Sequence, residues 1–114
     1  MAFSEQELNL IKNTVGVYAE SIAPAAVANQ VTYTYEVDGN AVIIWENRAP
    51  WDGRGGWTHK GVARFRYIRS RDEWELYWMR ADLKWHRYEP AEATPSLEEL
   101  VQVVKEDQYC CFIL

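Results

Sequence analysis

Residues 74–88 read Trp-Glu-Leu-Tyr-Trp-Met-Arg-Ala-Asp-Leu-Lys-Trp-His-Arg-Tyr and hold three of the six tryptophans of the chain. At a period of two, Trp74, Leu76 and Trp78 lie on one face of a strand, because successive strand side chains point to opposite faces. The alternation stops near Asp82, a residue type that forms turns by bonding its own backbone. The stretch therefore predicts two antiparallel aromatic strands that meet at a turn.

The strand before this pair extends the same apolar face. Residues 62–69 alternate, and a tight turn near Arg71-Asp72 sets Ala63, Phe65 and Tyr67 beside Trp78, Leu76 and Trp74. This register places Arg64, Arg66 and Tyr77 on the opposite face of the sheet.

Two more strands precede a glycine-rich segment. Residues 31–37 alternate as in a half-buried strand, and Asp38-Gly39-Asn40 is typical of a hairpin turn. Residues 41–48 begin apolar on both faces, which predicts a central strand. Residues 49–61 contain three glycines within four positions, and we expect a mobile surface loop there.

Helical patterns flank the strands. Ser4 and Glu7 form a capping box, apolar residues then recur at spacings of three and four, and Pro24 follows, so we predict a helix over residues 5–22. Ser96 and Glu99 begin a second, shorter helix in the same way. The apolar residues at 109–114 are expected to pack on the core. The whole of residues 1–114 is predicted to be one α+β domain, with about five antiparallel strands and both helices on one sheet face.

Composition limits the class of protein. Of the 114 residues, 48% are apolar and 14% aromatic, as expected for a folded globular domain. No apolar run approaches the roughly 20 residues that a membrane helix needs. The N-terminus has no signal-peptide pattern. The only cysteines are adjacent and unsuited to pair with each other, so we expect a cytoplasmic protein.

The charges are distributed unevenly. Residues 48–88 contain ten Lys or Arg and five acidic residues, although the whole chain carries a net charge of −5. We therefore expect an anionic ligand, either nucleic acid or another phosphorylated molecule, on the exposed sheet face and the glycine-rich loop. The candidate ligand-binding residues are Arg48, Trp51, Arg54, Trp57, Arg64, Arg66, Arg80, Lys84, Trp85 and His86.

Other interpretations remain open at this point. The same aromatic surface is also suited to a protein partner. Alternatively, its charges form a structural network of salt bridges and bind no ligand. His86 with Asp82 has the composition of a general base and its orienting carboxylate, but a turn-closing network explains the pair as well. His59, His86, Asp52 and Asp82 match no zinc spacing, so we predict neither a metal nor a cofactor. The pattern does not determine an oligomeric state.

The run from Trp78 to Pro90, Trp-Met-Arg-Ala-Asp-Leu-Lys-Trp-His-Arg-Tyr-Glu-Pro, resembles a bacterial family of small proteins, the domain of unknown function numbered 3024. The likeness extends over nearly the whole chain, from Phe3-Ser4 through Trp51 and Tyr67-Ile-Arg69 to Asp107-Gln-Tyr-Cys-Cys-Phe112. The chain ends Ile-Leu, where the family leads us to expect glycine or an aromatic residue. The resemblance implies no activity.

Overall fold

The computed structural model describes residues 3–50, 52–109 and 111–112. The elements in chain order are α1 (Glu5–Ile11), a π-helical segment (Lys12–Gly16), α2 (Val17–Ile22), a 3₁₀ turn (Ala25–Val27), β1 (Val31–Asp38), β2 (Ala41–Arg48), β3 (Thr58–Ile68), β4 (Glu73–Met79), β5 (Trp85–Arg87) and α3 (Leu97–Glu106).

The strands form one antiparallel meander in the order β1-β2-β3-β4-β5. The α+β architecture is therefore confirmed, and β2 is an interior strand as its apolar sequence predicts. Phe65 pairs with Leu76 and Tyr67 with Trp74, which is the predicted register. The helix-covered face of the sheet contains Val42, Ile44, Phe65, Trp74 and Leu76, each at most 3% exposed.

The N-terminal helix spans the predicted residues, but its middle is wound as a π-helical segment. Ser4 accepts a hydrogen bond from the Glu7 amide, and Glu7 accepts one from the Ser4 amide, so the capping box is complete. A Cβ added at Gly16 would lie 2.9 Å from the Tyr35 ring. Only glycine allows the helix to approach β1 this closely.

Helix α3 begins with half of the predicted capping box. Ser96 accepts from the Glu99 amide, but the Ser96 amide donates to Thr94 Oγ1 instead of to Glu99. The Glu99 carboxylate accepts from the Thr94 hydroxyl at 2.9 Å. Thr94 therefore stands between the two partners and completes the cap from outside the helix.

Two expectations need correction. Trp78 was predicted to lie on the same apolar face as Trp74 and Leu76, but unlike these two buried residues it is only half-buried, at the margin of the core. The third strand was predicted to begin at Val62, but β3 begins at Thr58, so the glycine-rich connection is shorter than expected.

Of the C-terminal residues that the structure describes, Cys111 and Phe112 contact the core, whereas Tyr109 is exposed, contrary to the expectation for residues 109–114. Phe112 is 4% exposed and lies against Tyr88, with ring centroids 4.9 Å apart. Cys110, Ile113 and Leu114 lie outside the described residues. No helix of the described part of the chain is long and apolar enough to cross a membrane.

Candidate ligand-binding face

A β-bulge in β3 determines which side chains reach the sheet face opposite the helices, here called the open face. Ile44 pairs with Ala63 but Trp45 pairs with Gly61, so Val62 is an extra residue in β3. The bulge reverses the alternation of the residues before it. As a result, Gly61 and His59 lie on the open face together with Arg64 and Arg66.

Three arginines, Arg66, Arg71 and Arg87, surround the Glu75 carboxylate at the open face, and Arg64 lies over the Tyr77 ring next to them. These four residues are here called the arginine cluster. The Glu75 carboxylate accepts from Arg87 Nη1 at 2.9 Å, and Arg66 and Arg71 lie 3.7 and 3.8 Å from it. Glu75 is only 12% exposed, whereas these three arginines are 34–56% exposed.

The cluster retains an excess of positive charge. Glu73 is the second carboxylate, 3.5 Å from Arg71, so the four arginines exceed their acidic partners by two charges. The Arg64 guanidinium lies 5.6 Å from the centre of the Tyr77 ring, and the Tyr77 hydroxyl donates to Glu75 at 3.0 Å. The cluster is thus oriented by neighbours that do not neutralise it.

Two tryptophans lie beside the arginine cluster. The Trp85 ring covers Gly61 so closely that an added Cβ there would lie 2.7 Å from it. Trp45 contacts Trp85 edge to face, with ring centroids 6.5 Å apart. Both indoles are half-buried and not enclosed in the core. Glycine at 61 therefore allows the Trp85 ring to lie against the β3 backbone, with Trp45 edge to face beside it.

The ten residues predicted from the sequence do not form one site. Arg64, Arg66 and Trp85 lie together on the open face. Arg80, Lys84 and His86 lie around the β4–β5 turn, and His86 pairs with Trp78 on the side of the sheet that carries the helices. Arg48 lies at the far end of β2. Arg54 and Trp57 lie in the glycine-rich connection, and Trp51 lies outside the described residues.

At the β4–β5 turn, Asp82 organises the backbone. Its Oδ1 accepts from the Lys84 amide at 3.0 Å, and its Oδ2 lies 2.8 Å from His86 Nε2. The hydrogen bond with His86, and then that with the Lys84 amide, lowers the pKa of Asp82 below its usual value. The guanidinium of Arg80 lies 5.4 Å from the Trp78 ring centre. These contacts are those of a turn-closing network.

Arg48 is engaged by neighbours on its own side of the sheet. Its Nε lies 2.6 Å from Glu46, whose carboxylate also accepts from the Tyr33 hydroxyl at 2.8 Å. Burial, followed by the hydrogen bond to Glu46, raises the pKa of Tyr33 to about 12. Burial alone would raise the pKa of Glu46, but the hydrogen bonds from Arg48 and Tyr33 lower it overall. Arg48 therefore belongs to a local ion pair and lies apart from the arginine cluster.

Residues 52–57 of the glycine-rich connection are exposed. Gly53 and Gly55 have φ values of 72° and 78°, which glycine tolerates best. The Arg54 amide donates to Asp52 at 3.0 Å, and the Trp57 side chain is 42% exposed. This segment presents one arginine and one tryptophan to solvent next to the start of β3.

Sequence reasoning missed several members of the open face. Arg71 and Arg87 were counted only as charges, and Trp45 was not among the candidate ligand-binding residues. His59 was missed because a period of two, extended back from Phe65, places it on the helix-covered face. The detectable signal was Gly61, since an isolated glycine within a strand often marks a bulge.

The side chains of the open face are of the kinds that can contact planar and anionic groups. Arginine forks bind phosphate or carboxylate oxygens, and flat indoles stack on rings. Among the described residues, no group of three or more His, Cys, Asp or Glu side chains could hold a metal ion.

The sequence as a whole was also compared with known families. The family described as a domain of unknown function, DUF3024, matches over residues 3–114. The chain belongs to the DUF3024 family. No curated protein and no solved structure matches this DUF3024 chain. The family description names no reaction and no ligand, so only the geometry of the open face bears on function.

Proposed function

We propose that this DUF3024 protein is a non-enzymatic module that binds single-stranded nucleic acid on its open face. The observation that carries the proposal is the arginine cluster around Glu75 beside the Trp45–Trp85 pair. Phosphates match the exposed guanidinium groups, and bases match the indole faces, as in single-strand binders that combine a basic groove with stacking platforms. The proposal includes the bacterial, cytoplasmic setting that the sequence predicts.

The open face favours a single strand over a duplex. A duplex hides its base faces in the stack, so the half-buried indoles would have nothing to stack on. A single strand exposes bases and phosphates together, and both kinds of partner lie within one surface here. Binding should therefore depend on both the arginines and the tryptophans.

The salt dependence of binding tests the phosphate contacts. We expect a fluorescent single-stranded 12-mer to bind, with affinity that falls as salt rises. Arg64→Ala with Arg66→Ala should reduce the slope of log affinity against log salt by about 0.7 for each lost contact. Lys12→Ala with Lys105→Ala is the matched control, because it removes the same charge from the helices. Equal slopes for the two double variants would contradict the proposal.

A protein partner is the second candidate, and the edge of the sheet supports it. β1 is an eight-residue edge strand with one sheet neighbour, and Tyr35 and Val37 are 36% and 39% exposed. An extended segment of a partner could pair with such an edge. Val37→Lys would then abolish capture of that partner and leave nucleic-acid binding unchanged.

A further inference from the structure

Asn47 lies at the centre of a hydrogen-bond relay on the open face. It is 8% exposed, and its Nδ2 lies 3.5 Å from the Thr32 carbonyl oxygen and 3.0 Å from Thr34 Oγ1. A backbone carbonyl only accepts hydrogen bonds, so the amide nitrogen must face β1. The amide oxygen therefore faces β3.

This orientation determines which nitrogen of His59 carries hydrogen. His59 Nδ1 lies 2.5 Å from Asn47 Oδ1. Because Oδ1 only accepts, Nδ1 must be the donor, and in the neutral ring Nε2 is then an acceptor. Among the contacts of the described residues, Nε2 of this ring has no hydrogen-bond partner. The relay thus presents one basic nitrogen of fixed orientation.

His59 is part of a groove, here called the Trp45 groove, which has a volume of about 550 Å³ and is lined by Thr34, Tyr35, Glu36, Trp45, Asn47 and His59. The volume falls within the range of small-ligand sites. Trp45 Nε1 donates to the Glu36 carboxylate at 3.4 Å, which holds that carboxylate at the rim. The groove therefore offers an indole wall and two acceptors, the Glu36 carboxylate and His59 Nε2.

We propose that the Trp45 groove reads a guanine base, an inference that rests on the proposed binding of single-stranded nucleic acid. Guanine alone among the four bases carries two adjacent donors, N1–H and the 2-amino group, on its pairing edge. Those donors match the two oxygens of one carboxylate, Glu36, while the purine ring stacks on Trp45. Adenine, cytosine and uracil each place an acceptor next to their single donor group, where it would face a carboxylate oxygen.

His59 serves this site as a second acceptor. Guanine's 2-amino group keeps one N–H after the carboxylate has taken the other, and an acceptor in the same groove can use it. In the neutral ring, the relay through Asn47 keeps hydrogen off Nε2, where an N–H would repel that donor. His59 is accordingly a specificity residue, separate from the arginine cluster.

Three RNA octamers test the inference: all adenosine, adenosine with one central guanosine, and adenosine with one central inosine, which lacks the 2-amino group. Guanosine should improve the affinity over adenosine about 5- to 150-fold, the range for one bidentate base contact. Inosine should fall between the two. Binding of all three octamers within twofold of one another would overturn guanine reading.

Matched variants separate this inference from the proposed function. Glu36→Gln should remove the preference for guanosine, and Glu20→Gln on α2 is the matched control that should retain it. If the octamers bind equally but remain dependent on Arg64 and Arg66, guanine reading is wrong and the proposed function stands. If no octamer binds, both are wrong.

The tautomer of the neutral His59 ring can be measured without any ligand. Nitrogen NMR of the neutral ring should show hydrogen on Nδ1 of His59, and Asn47→Ala should release that preference. His59→Ala should lower the affinity for guanosine RNA severalfold and leave that for the all-adenosine octamer unchanged. A hydrogen found on Nε2 in the wild-type protein would overturn the proposed role of His59.

Discussion

At the scale of single residues, Glu75 has two opposite effects on the arginine cluster: it stabilises the arginines and it reduces their positive charge. Its carboxylate stabilises Arg66, Arg71 and Arg87, yet it also cancels charge that a phosphate would use. Arg87 depends on it most, because Arg87 Nε is buried and has no hydrogen-bond partner among the described residues. A carboxylate in this position holds the cluster together at the expense of its affinity for anions.

We therefore expect Glu75→Gln to weaken the fold and to strengthen binding. Removal of the charged acceptor should lower the free energy of unfolding by about 1–3 kcal/mol, the cost of a buried group left without its charged partner. The affinity for single-stranded nucleic acid should rise at low salt, because one negative charge leaves the site. Chemical denaturation and fluorescence polarisation measure the two effects. Glu73→Gln, which affects Arg71 mainly, is the control, and weaker binding by Glu75→Gln would contradict the proposal.

Glu7 links the first helix to the end of β3. Its carboxylate accepts from Arg69 Nη2 at 3.1 Å and from Arg69 Nη1 at 3.2 Å. The same carboxylate also completes the capping box. The hydrogen bond from Arg69, and then that from the Ser4 amide, lowers the pKa of Glu7. Because the pKa is lower in the folded state, the stabilisation is present above the ordinary value of 4.5 and is lost as the pH falls through the folded pKa.

Glu7→Gln should accordingly lower the free energy of unfolding by about 1 kcal/mol at pH 7. The difference from the wild type should shrink as the pH falls below about 4.5, since both proteins then carry a neutral side chain. Urea denaturation at a series of pH values measures it. Glu5→Gln is the control: it makes the same change of charge in the same helical turn and should change the free energy of unfolding little. A difference that stayed constant however far the pH was lowered would contradict the assignment.

At the scale of elements, the bulge in β3 makes Gly61 a structural requirement of the open face. A Cβ there would lie 2.7 Å from the Trp85 ring and 3.0 Å from the Met79 methyl group. Trp85 belongs to β5, a strand of only three residues. A side chain at position 61 would therefore displace β5 as well as the indole.

Gly61→Ala should lower the free energy of unfolding by about 1–3 kcal/mol, as overpacking does in well-packed regions. It should also reduce nucleic-acid binding, because Trp85 loses its place beside Trp45. Thermal melting and polarisation assays measure the two losses. Gly56→Ala is the matched control, since no atom lies within 4 Å of its added Cβ and its φ is not positive. Equal melting temperatures for the two variants would contradict the close contact.

The two tryptophans of β4 on the helix-covered face should differ in energetic weight. Trp74 is 3% exposed and contacts Phe3 and Tyr67, whereas Trp78 is half-buried beyond the helices. Trp74→Ala should cost about 3–5 kcal/mol, and Trp78→Ala clearly less, because the cost follows the apolar contact that is removed. Equilibrium unfolding of both variants measures the order. A larger loss for Trp78→Ala would show that the end of β4 belongs to the core.

At the scale of the whole molecule, local sequence patterns predicted the helices and strands, whereas the pairing between strands determined which side chains share the open face. Alternation, capping residues and turn residues act within a few positions, so the helix over residues 5–22 and the register of Phe65 with Leu76 were predictable. The side of the sheet occupied by His59 was not, because one extra residue reverses every position before it.

The candidate site was predictable only in part for a related reason. Charge counting identifies arginines, but the partner of each one is set across strands. Arg48 is paired with Glu46 and Arg80 lies on Trp78, whereas Arg64 and Arg66 belong to the arginine cluster. The same residue type therefore has three different surroundings, and sequence spacing does not distinguish them.

The glycine-rich connection and the open face should act together in binding. Arg54 and Trp57 are exposed and precede β3, the strand that carries Arg64 and Arg66. Arg54→Ala with Trp57→Ala removes little buried surface, so the free energy of unfolding should change by no more than about 0.5 kcal/mol. The affinity for single-stranded nucleic acid should fall about 5- to 150-fold, the range for one lost stacking contact.

Comparison of the Arg54–Trp57 variant, Arg64→Ala and their combination tests whether one bound strand contacts both the glycine-rich connection and the open face. If one bound strand contacts both, polarisation assays should show that a 12-mer loses affinity in each variant, whereas a tetramer too short to span them loses it in only one. Arg48→Ala, at the other end of the connection and paired with Glu46, is the control that should affect neither length. A drop of several degrees in the melting temperature of the Arg54–Trp57 variant would show that the connection is a structural flap and would contradict its role in binding.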